Sequence, residues 1–301
     1  SPESRLGPLP SMDARTVALF IDEGPAKIID TPASSPDDHG VDATWTIKLS
    51  PSGAGDLVAA ERHTGDAAFE LRMNLKQADA RSQWVEQYLA SGWFPTVQVQ
   101  GDVAFKPDLP HGVATLGYGA HSEGLARREG AELAVPVAET STLTSQLAPL
   151  VKRTLPVVLP ARLAPGHETR AITIVAPPGF KFADLPPGGD EPGGEFGKAH
   201  LEFARAAGKN AVVVKRSVVF DLSTIPVEKY AKWRGWLQRV DGLMHRMVRL
   251  TPDGTAPRPE VKAVAAVPKG NGGVVKAVGG GKADGGAAVG DKGAKSGVTA
   301  R

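Results

Sequence analysis

The segment Ala120-His121-Ser122-Glu123-Gly124 sets a serine in a frame like a nucleophile elbow, with alanine in place of the first glycine and strand-like residues 115–119 ahead of it. Such an elbow exposes a serine hydroxyl at a strand end and needs a following helix, whose first amides help stabilise an oxyanion. Leu125-Ala126-Arg127-Arg128-Glu129-Gly130 is too short and too glycine-bounded to be that helix. The segment therefore reads as a hairpin turn, and serine hydrolysis through Ser122 is the weakest of three functional readings.

The seven histidines, at 39, 63, 111, 121, 167, 200 and 245, include no pair at the spacing by which one helix face grips a metal. Each reads as a surface or turn histidine. With no cysteine to add thiolates, the sequence predicts neither a metal centre nor a cofactor. Two glycine-rich stretches invite comparison with phosphate loops. Pro186-Pro187-Gly188-Gly189-Asp190-Glu191-Pro192-Gly193-Gly194-Glu195 carries three carboxylates that would repel phosphate, and it reads as a long loop between strands. Gly279-Gly280-Gly281-Lys282 is followed by Ala283 where a magnesium-binding hydroxyl is needed. Neither predicts a nucleotide site.

Composition closes off further classes. A chain without cysteine has no disulfide and no thiolate nucleophile. Its 35 Gly and 25 Pro disfavour an all-helical fold, while 41% hydrophobic residues suffice for a sizeable core. No apolar run approaches the ~18–20 residues of a membrane helix. The net charge of +2 hides an asymmetry: residues 254–301 hold eight basic and three acidic side chains, and the remainder 27 basic and 30 acidic. The part expected to fold thus lacks the basic footprint of a nucleic-acid binder. From Gly254 onward there is no aromatic residue, and this Gly/Ala/Lys stretch reads as a disordered tail. The chain begins Ser1-Pro2-Glu3 without a Met or a charged-then-apolar leader, so any signal peptide lies outside this sequence, which reads as a fragment or a processed product.

The elements that would position any site follow from periodicity. Residues 1–39 read as a connecting segment with short strands at 16–21 and 26–29, and residues 40–253 as a β-rich domain with a candidate subdivision near 150–165. Val41, Ala43, Trp45, Ile47 and Leu49 alternate with polar neighbours, so one strand face is buried. A Ser50–Asp56 turn leads into a hairpin partner at 57–62. Ala68, Leu71 and Leu75, then Trp84, Val85, Tyr88 and Leu89, recur three and four apart and predict two half-buried helices, the second ending at Gly92. Strands follow at 96–105, 114–121 and 132–137, with short helical or irregular material near 143–150. Further strands are expected at 170–175, 199–206 and 211–222, the last two joined by Ala207-Gly208-Lys209-Asn210.

Ser223-Thr224 ahead of Pro226 reads as a helix start. Tyr230, Trp233, Leu237, Val240, Met244 and Met247 then predict about five helical turns docked by an aromatic face. Lys229, Lys232 and Arg239 fall on the opposite face, so this is a core helix rather than an RNA-binding or membrane-surface one. The expected structural residues are therefore Tyr230, Trp233, Leu237, Val240 and, on the first long strand, Trp45. The fold class is α+β and β-rich, with antiparallel, sandwich-like sheets.

The closing hairpin followed by Ile225-Pro226 and Tyr230-Ala231-Lys232-Trp233-Arg234-Gly235-Trp236-Leu237-Gln238-Arg239-Val240-Asp241 resembles the C-terminal module of bacterial transglutaminase-like proteins of the papain-like superfamily. Gly65-Asp66-Ala67-Ala68-Phe69-Glu70-Leu71-Arg72 and Phe196-Gly197 add to the resemblance, which covers most of 1–250. In that family a β-sandwich module of unknown function precedes the transglutaminase domain and a second β-rich module follows it. Residues 1–10 resemble the stretch just after that domain's catalytic aspartate. The resemblance thus implies that the catalytic cysteine, histidine and aspartate lie upstream, and none maps onto a residue of this chain. It implies a noncatalytic module that packs against or positions an upstream transglutaminase-like domain in an exported, periplasmic or secreted bacterial protein. The second reading is a freestanding module binding a protein or glycan through its sheet faces and the 186–195 loop.

Overall fold

Period-two alternation builds most of the molecule. The computed structural model describes residues 17–254 apart from 22, 23, 25, 33, 161 and 164. In chain order the elements are β1 (Val17–Phe20), β2 (Lys27–Asp30), β3 (Gly40–Leu49), β4 (Gly55–Thr64), α1 (Gly65–Asn74), α2 (Arg81–Gly92), β5 (Gln98–Asp108) and β6 (Val113–Ser122). There follow β7 (Arg127–Glu129), β8 (Glu132–Pro136), α3 (Leu143–Leu147), β9 (Val157–Val158), β10 (Gly166–Val175), β11 (Phe180–Phe182) and β12 (Gly189–Pro192). The chain continues with β13 (Gly197–Arg205), β14 (Ala211–Phe220), β15 (Thr224–Ile225), α4 (Tyr230–Met244) and β16 (Met247–Pro252). This is a β-rich α+β protein. The tail expected beyond Gly254 lies outside the described residues, as does the start of the expected connecting segment. No helix among the described residues is long and apolar enough to cross a membrane.

The largest sheet has eight strands in the order β12-β13-β14-β10-β3-β4-β6-β5. Six of its seven neighbour pairs follow the antiparallel expectation, but β10 lies parallel to β3, with His167 opposite Gly40 and Val175 opposite Lys48. A parallel pair needs a long crossover rather than a turn, and here more than a hundred residues intervene. The large sheet is thus assembled from strands on both sides of residues 150–165. A second sheet runs β11-β16-β8-β7, and two small antiparallel pairs are β1-β2 and β9-β15.

Along β3, β4, β6, β10 and β14 one face is buried and the other is open or half-open. The buried face carries Trp45, Ile47, Leu57, Leu116, Ile172, Ile174, Val212 and Val214, and the helices contribute Leu71, Leu75, Val85, Leu89, Trp233, Leu237 and Val240 to the same core. The turn into α1 depends on Gly65, whose φ is +56°. A Cβ there would come within 2.3 Å of His39 Nδ1 and 2.4 Å of the Asp38 carbonyl oxygen. That closeness lets His39 Nδ1 accept the Asp66 amide at 3.1 Å, satisfying one of the free N–H groups at the helix start.

Three local expectations change. Residues 186–195 are not simply a loop, because Gly189–Pro192 forms edge strand β12 against β13. Ser223-Thr224 does not cap α4: Thr224–Ile225 pairs with Val157–Val158, a single 3₁₀ turn over Val227–Lys229 follows Pro226, and the α-helix opens at Tyr230. Met247 lies in β16, so the helix stops after Met244 although the apolar spacing runs on. Strand pairing of β16 with β8 overrides the local periodicity there.

Candidate functional site

Register places Leu116, Glu61, Ala43, Arg170, Arg216 and Leu201 in one row across β6, β4, β3, β10, β14 and β13. Leu116, Ala43 and Leu201 are ordinary core occupants, whereas Glu61, Arg170 and Arg216 are charges facing the wrong medium. The small side chain of Ala43 leaves room for Arg170 and Glu61 to approach across it, Nη1 to Oε1 at 3.7 Å. Both are buried, and a charge held away from water must be matched by partners.

The matching is extensive. Arg170 donates from Nε to Glu168 at 2.9 Å and from Nη2 to the Tyr88 hydroxyl at 2.7 Å. Its guanidinium lies over the rings of Trp45 at 4.6 Å and Trp93 at 5.0 Å. Glu61 accepts from Trp45 Nε1 at 3.1 Å and from the Tyr118 hydroxyl at 2.9 Å, and its other oxygen meets His63 Nε2 at 3.0 Å. Burial alone would raise the Glu61 carboxyl, but the His63 hydrogen bond and the Arg170 charge outweigh it and hold the pKa below the usual range. The same contest is won more decisively at Glu168, where Arg170 and Arg216 outweigh burial and hold the carboxyl at about 2.

Arg216 is bound differently. It stands directly opposite Arg170 on β14, a like-charge placement that the shared carboxylate of Glu168 offsets. Its Nη2 is 3.6 Å from Glu168 and its Nη1 donates to the Val137 carbonyl at 3.4 Å. The guanidinium lies 5.2 Å from the Trp93 ring. Nε makes no hydrogen bond among the described residues. Burial lowers the Arg216 pKa, so its charge is less well compensated than that of Arg170.

Arg170, Arg216 and Glu168 line a cavity of about 350 Å³ whose walls also include Trp84 and Tyr88 of α2, Glu139, and Gln146 of α3. The Trp84 and Tyr88 rings stack at 5.3 Å with 10° between planes. Burial, with Glu168 nearby, pushes the Glu139 carboxyl upward, and Gln146 Nε2 donates to it at 3.3 Å. At the mouth Arg162 and Glu70 pair at 4.0 Å, and inside Asp241 accepts the amides of Leu143 and Thr144 at 2.7 and 3.0 Å. The arrangement offers donors, acceptors and an aromatic wall in one pre-formed space.

The residues singled out from the sequence lie elsewhere. Trp45 is in the core beneath the charge cluster, and Tyr230, Trp233, Leu237 and Val240 are buried along α4, joined there by Trp236. Ser122 is buried at the end of β6, where its Oγ accepts the Gly124 amide at 3.1 Å, and the chain continues into β7 rather than a helix. His39 and His63 are core residues, contrary to the expectation of surface histidines, because each has a dedicated partner in Asp66 N–H and Glu61.

Sequence reasoning missed Glu61, Glu168, Arg170 and Arg216, although a signal was present. Glu168 and Arg170 are in phase with Ile172 and Ile174, Arg216 with Val214 and Val218, and Glu61 with Leu57 and Ala59. A charge on the apolar phase of a strand marks a buried charge. Compared with known proteins, the chain matches no protein-family model, and no curated protein is significantly similar to it in sequence.

Proposed function

We propose that this chain is a noncatalytic module that binds a small polar ligand in the cavity between the large sheet and helices α2 and α3. The observation that carries the reading is Arg216, a buried guanidinium with most of its donors uncommitted on the wall of a pre-formed space. Of the five N–H donors of an arginine, only one makes a hydrogen bond among the described residues, at 3.4 Å, and Nη2 stands 3.6 Å from Glu168 as an ion pair. An under-used buried cation costs stability unless something completes it. The volume falls near the low end of the ~300–1,000 Å³ typical of small-molecule sites. Thermal shifts against a panel of small neutral, acidic and zwitterionic molecules test this. A stabilising ligand should be found, and its effect should vanish in Ser91→Trp, which fills the exposed rim of the cavity. A shift that survives Ser91→Trp, or no shift at all, overturns the reading.

A second reading keeps the module as the partner of an upstream transglutaminase-like domain in an exported bacterial protein. It is favoured by the outer face of the large sheet, where Thr44, Ala60, Thr115, Gly117, Thr169 and Ala171 line a shallow depression of about 620 Å³. Its lining also includes Asp42, Arg62 and Lys106, and small side chains among charges of both signs suit a domain interface with paired charges. Such a domain, supplied as a separate chain, should bind the module, and Ala60→Arg with Ala171→Arg should abolish that binding without lowering the melting temperature.

A further inference from the structure

Resting on the binding reading above, we infer that the cavity takes an uncharged, polyhydroxylated molecule of mono- or disaccharide size, with Arg216 donating to its oxygens, Glu139 accepting from its hydroxyls and Trp84 covering its C–H face.

Charge balance selects the class. Around the floor, Arg170 and Arg216 stand against Glu61 and Glu168, two cations to two carboxylates. Arg162 and Glu70 cancel at the mouth. Asp241 is spent on two backbone amides of α3. The lining histidines are engaged, His63 with Glu61 at 3.0 Å, His167 with Asp42 at 3.5 Å and His245 with the Asp241 carbonyl at 3.0 Å, and the remaining carboxyl, Glu139, adds no positive charge in either protonation state, so the cavity offers no cationic field to draw in an anion. A phosphate or dicarboxylate near Arg216 would also face Glu168 at close range, and like charges in a poorly solvated space repel strongly.

Hydrogen-bonding capacity, in contrast, is left over in both senses. Among the described residues Arg216 keeps unused N–H donors, and Glu139 accepts one hydrogen bond, at 3.3 Å from Gln146. Hydroxyl groups donate and accept at once, so a polyol serves both without importing charge. The stacked Trp84 and Tyr88 rings add a flat apolar wall beside these polar groups. A pyranose has the same two-sided character, with hydroxyls at its rim and C–H groups on its faces. A purely apolar ligand would leave Arg216 and Glu139 desolvated and unpaired.

The test is an NMR titration of the full chain, following tryptophan indole resonances, with glucose, galactose, N-acetylglucosamine, cellobiose and maltose as neutral probes and with glucuronate, glutamate and inorganic phosphate as charged ones. A neutral sugar should shift the Trp84 indole saturably, with every charged probe at least about tenfold weaker. Arg216→Lys keeps the charge but loses the fork of donors and should weaken that sugar about tenfold. Trp84→Ala, followed through the backbone amides of α2, should do the same while the amide spectrum stays that of a folded protein, which separates loss of contact from loss of fold. Tighter binding of glucuronate, glutamate or phosphate overturns the ligand class and leaves the binding reading standing. Absence of any shift at Trp84 with all eight probes overturns both. Undiminished sugar binding by both variants overturns the assignment of Arg216 and Trp84.

Discussion

The hydroxyl of Tyr88 on α2 accepts the Nη2–H of Arg170 on β10 at 2.7 Å, joining residues 82 apart in sequence. The bond fixes the helix over the sheet and completes a buried cation whose Nη1 already lacks a hydrogen-bond partner. Removing the hydroxyl leaves a second terminal nitrogen unpaired. Tyr88→Phe should therefore destabilise the fold by about 1–3 kcal/mol, more than the loss of an average hydrogen bond. Urea melts of the two proteins at neutral pH measure the difference.

Acid should dissolve this cluster in a defined window. Glu168 titrates at about 2 in the folded protein because Arg170 and Arg216 outweigh its burial. Its unfolded value is about 4.3. A carboxyl depressed on folding stabilises above its unfolded pKa, and that contribution is lost as pH falls from about 4.3 towards 2. The loss should be on the order of 3 kcal/mol. Glu168→Gln should lose the same stability at pH 7 and converge with the parent protein near pH 2, measured by denaturant midpoints across the range.

Glu139 should behave in the opposite sense. Burial and the Glu168 charge raise its pKa on folding, so ionising it at neutral pH costs stability that is recovered as it protonates. Glu139→Gln retains the shape and the neutral form. It should raise the urea midpoint at pH 7 and leave it unchanged below the unfolded carboxyl pKa, near pH 4.

Much of the frame is legible because it is locally encoded. The β3–β4 hairpin, α1, α2 and the β13–β14 hairpin each announce themselves through alternation, three–four spacing or a glycine turn within a dozen residues. The parallel contact of β10 with β3 does not, since Arg170 and Ala43 are brought together by pairing of distant strands and nothing near either residue encodes it. The site fails to show for a related reason. Charged residues are ordinarily solvated, and Glu61 or Arg216 becomes a core residue only once the strand that carries its partner is in place.

The aromatic face of α4 gives a contrast between neighbours. Trp233 is fully buried against the core, while Arg234 is half-buried and donates from Nε to the Ala148 carbonyl at 3.1 Å. Trp233→Ala should cost about 3–5 kcal/mol as a large-to-small core change, and Arg234→Ala about 1 kcal/mol for one hydrogen bond. Equal midpoint shifts in guanidinium chloride would contradict this division of the helix.

Ester hydrolysis by Ser122 should be absent. Its neighbour His121 is the nearest base in sequence, but adjacent strand residues point to opposite sheet faces, and His121 is engaged outside with Asp56 at 2.8 Å and Glu123 at 3.4 Å. Ser122 itself faces inward and accepts the Gly124 amide, an interaction that closes the turn into β7. A serine nucleophile needs a base within hydrogen-bond reach and amides aimed at a developing oxyanion, and the turn supplies neither. Ser122→Ala should leave p-nitrophenyl acetate turnover equal to that of the parent protein while lowering stability by about 1 kcal/mol through the lost turn bond. Turnover above the buffer rate that disappears in Ser122→Ala would make the chain a hydrolase and displace the noncatalytic reading.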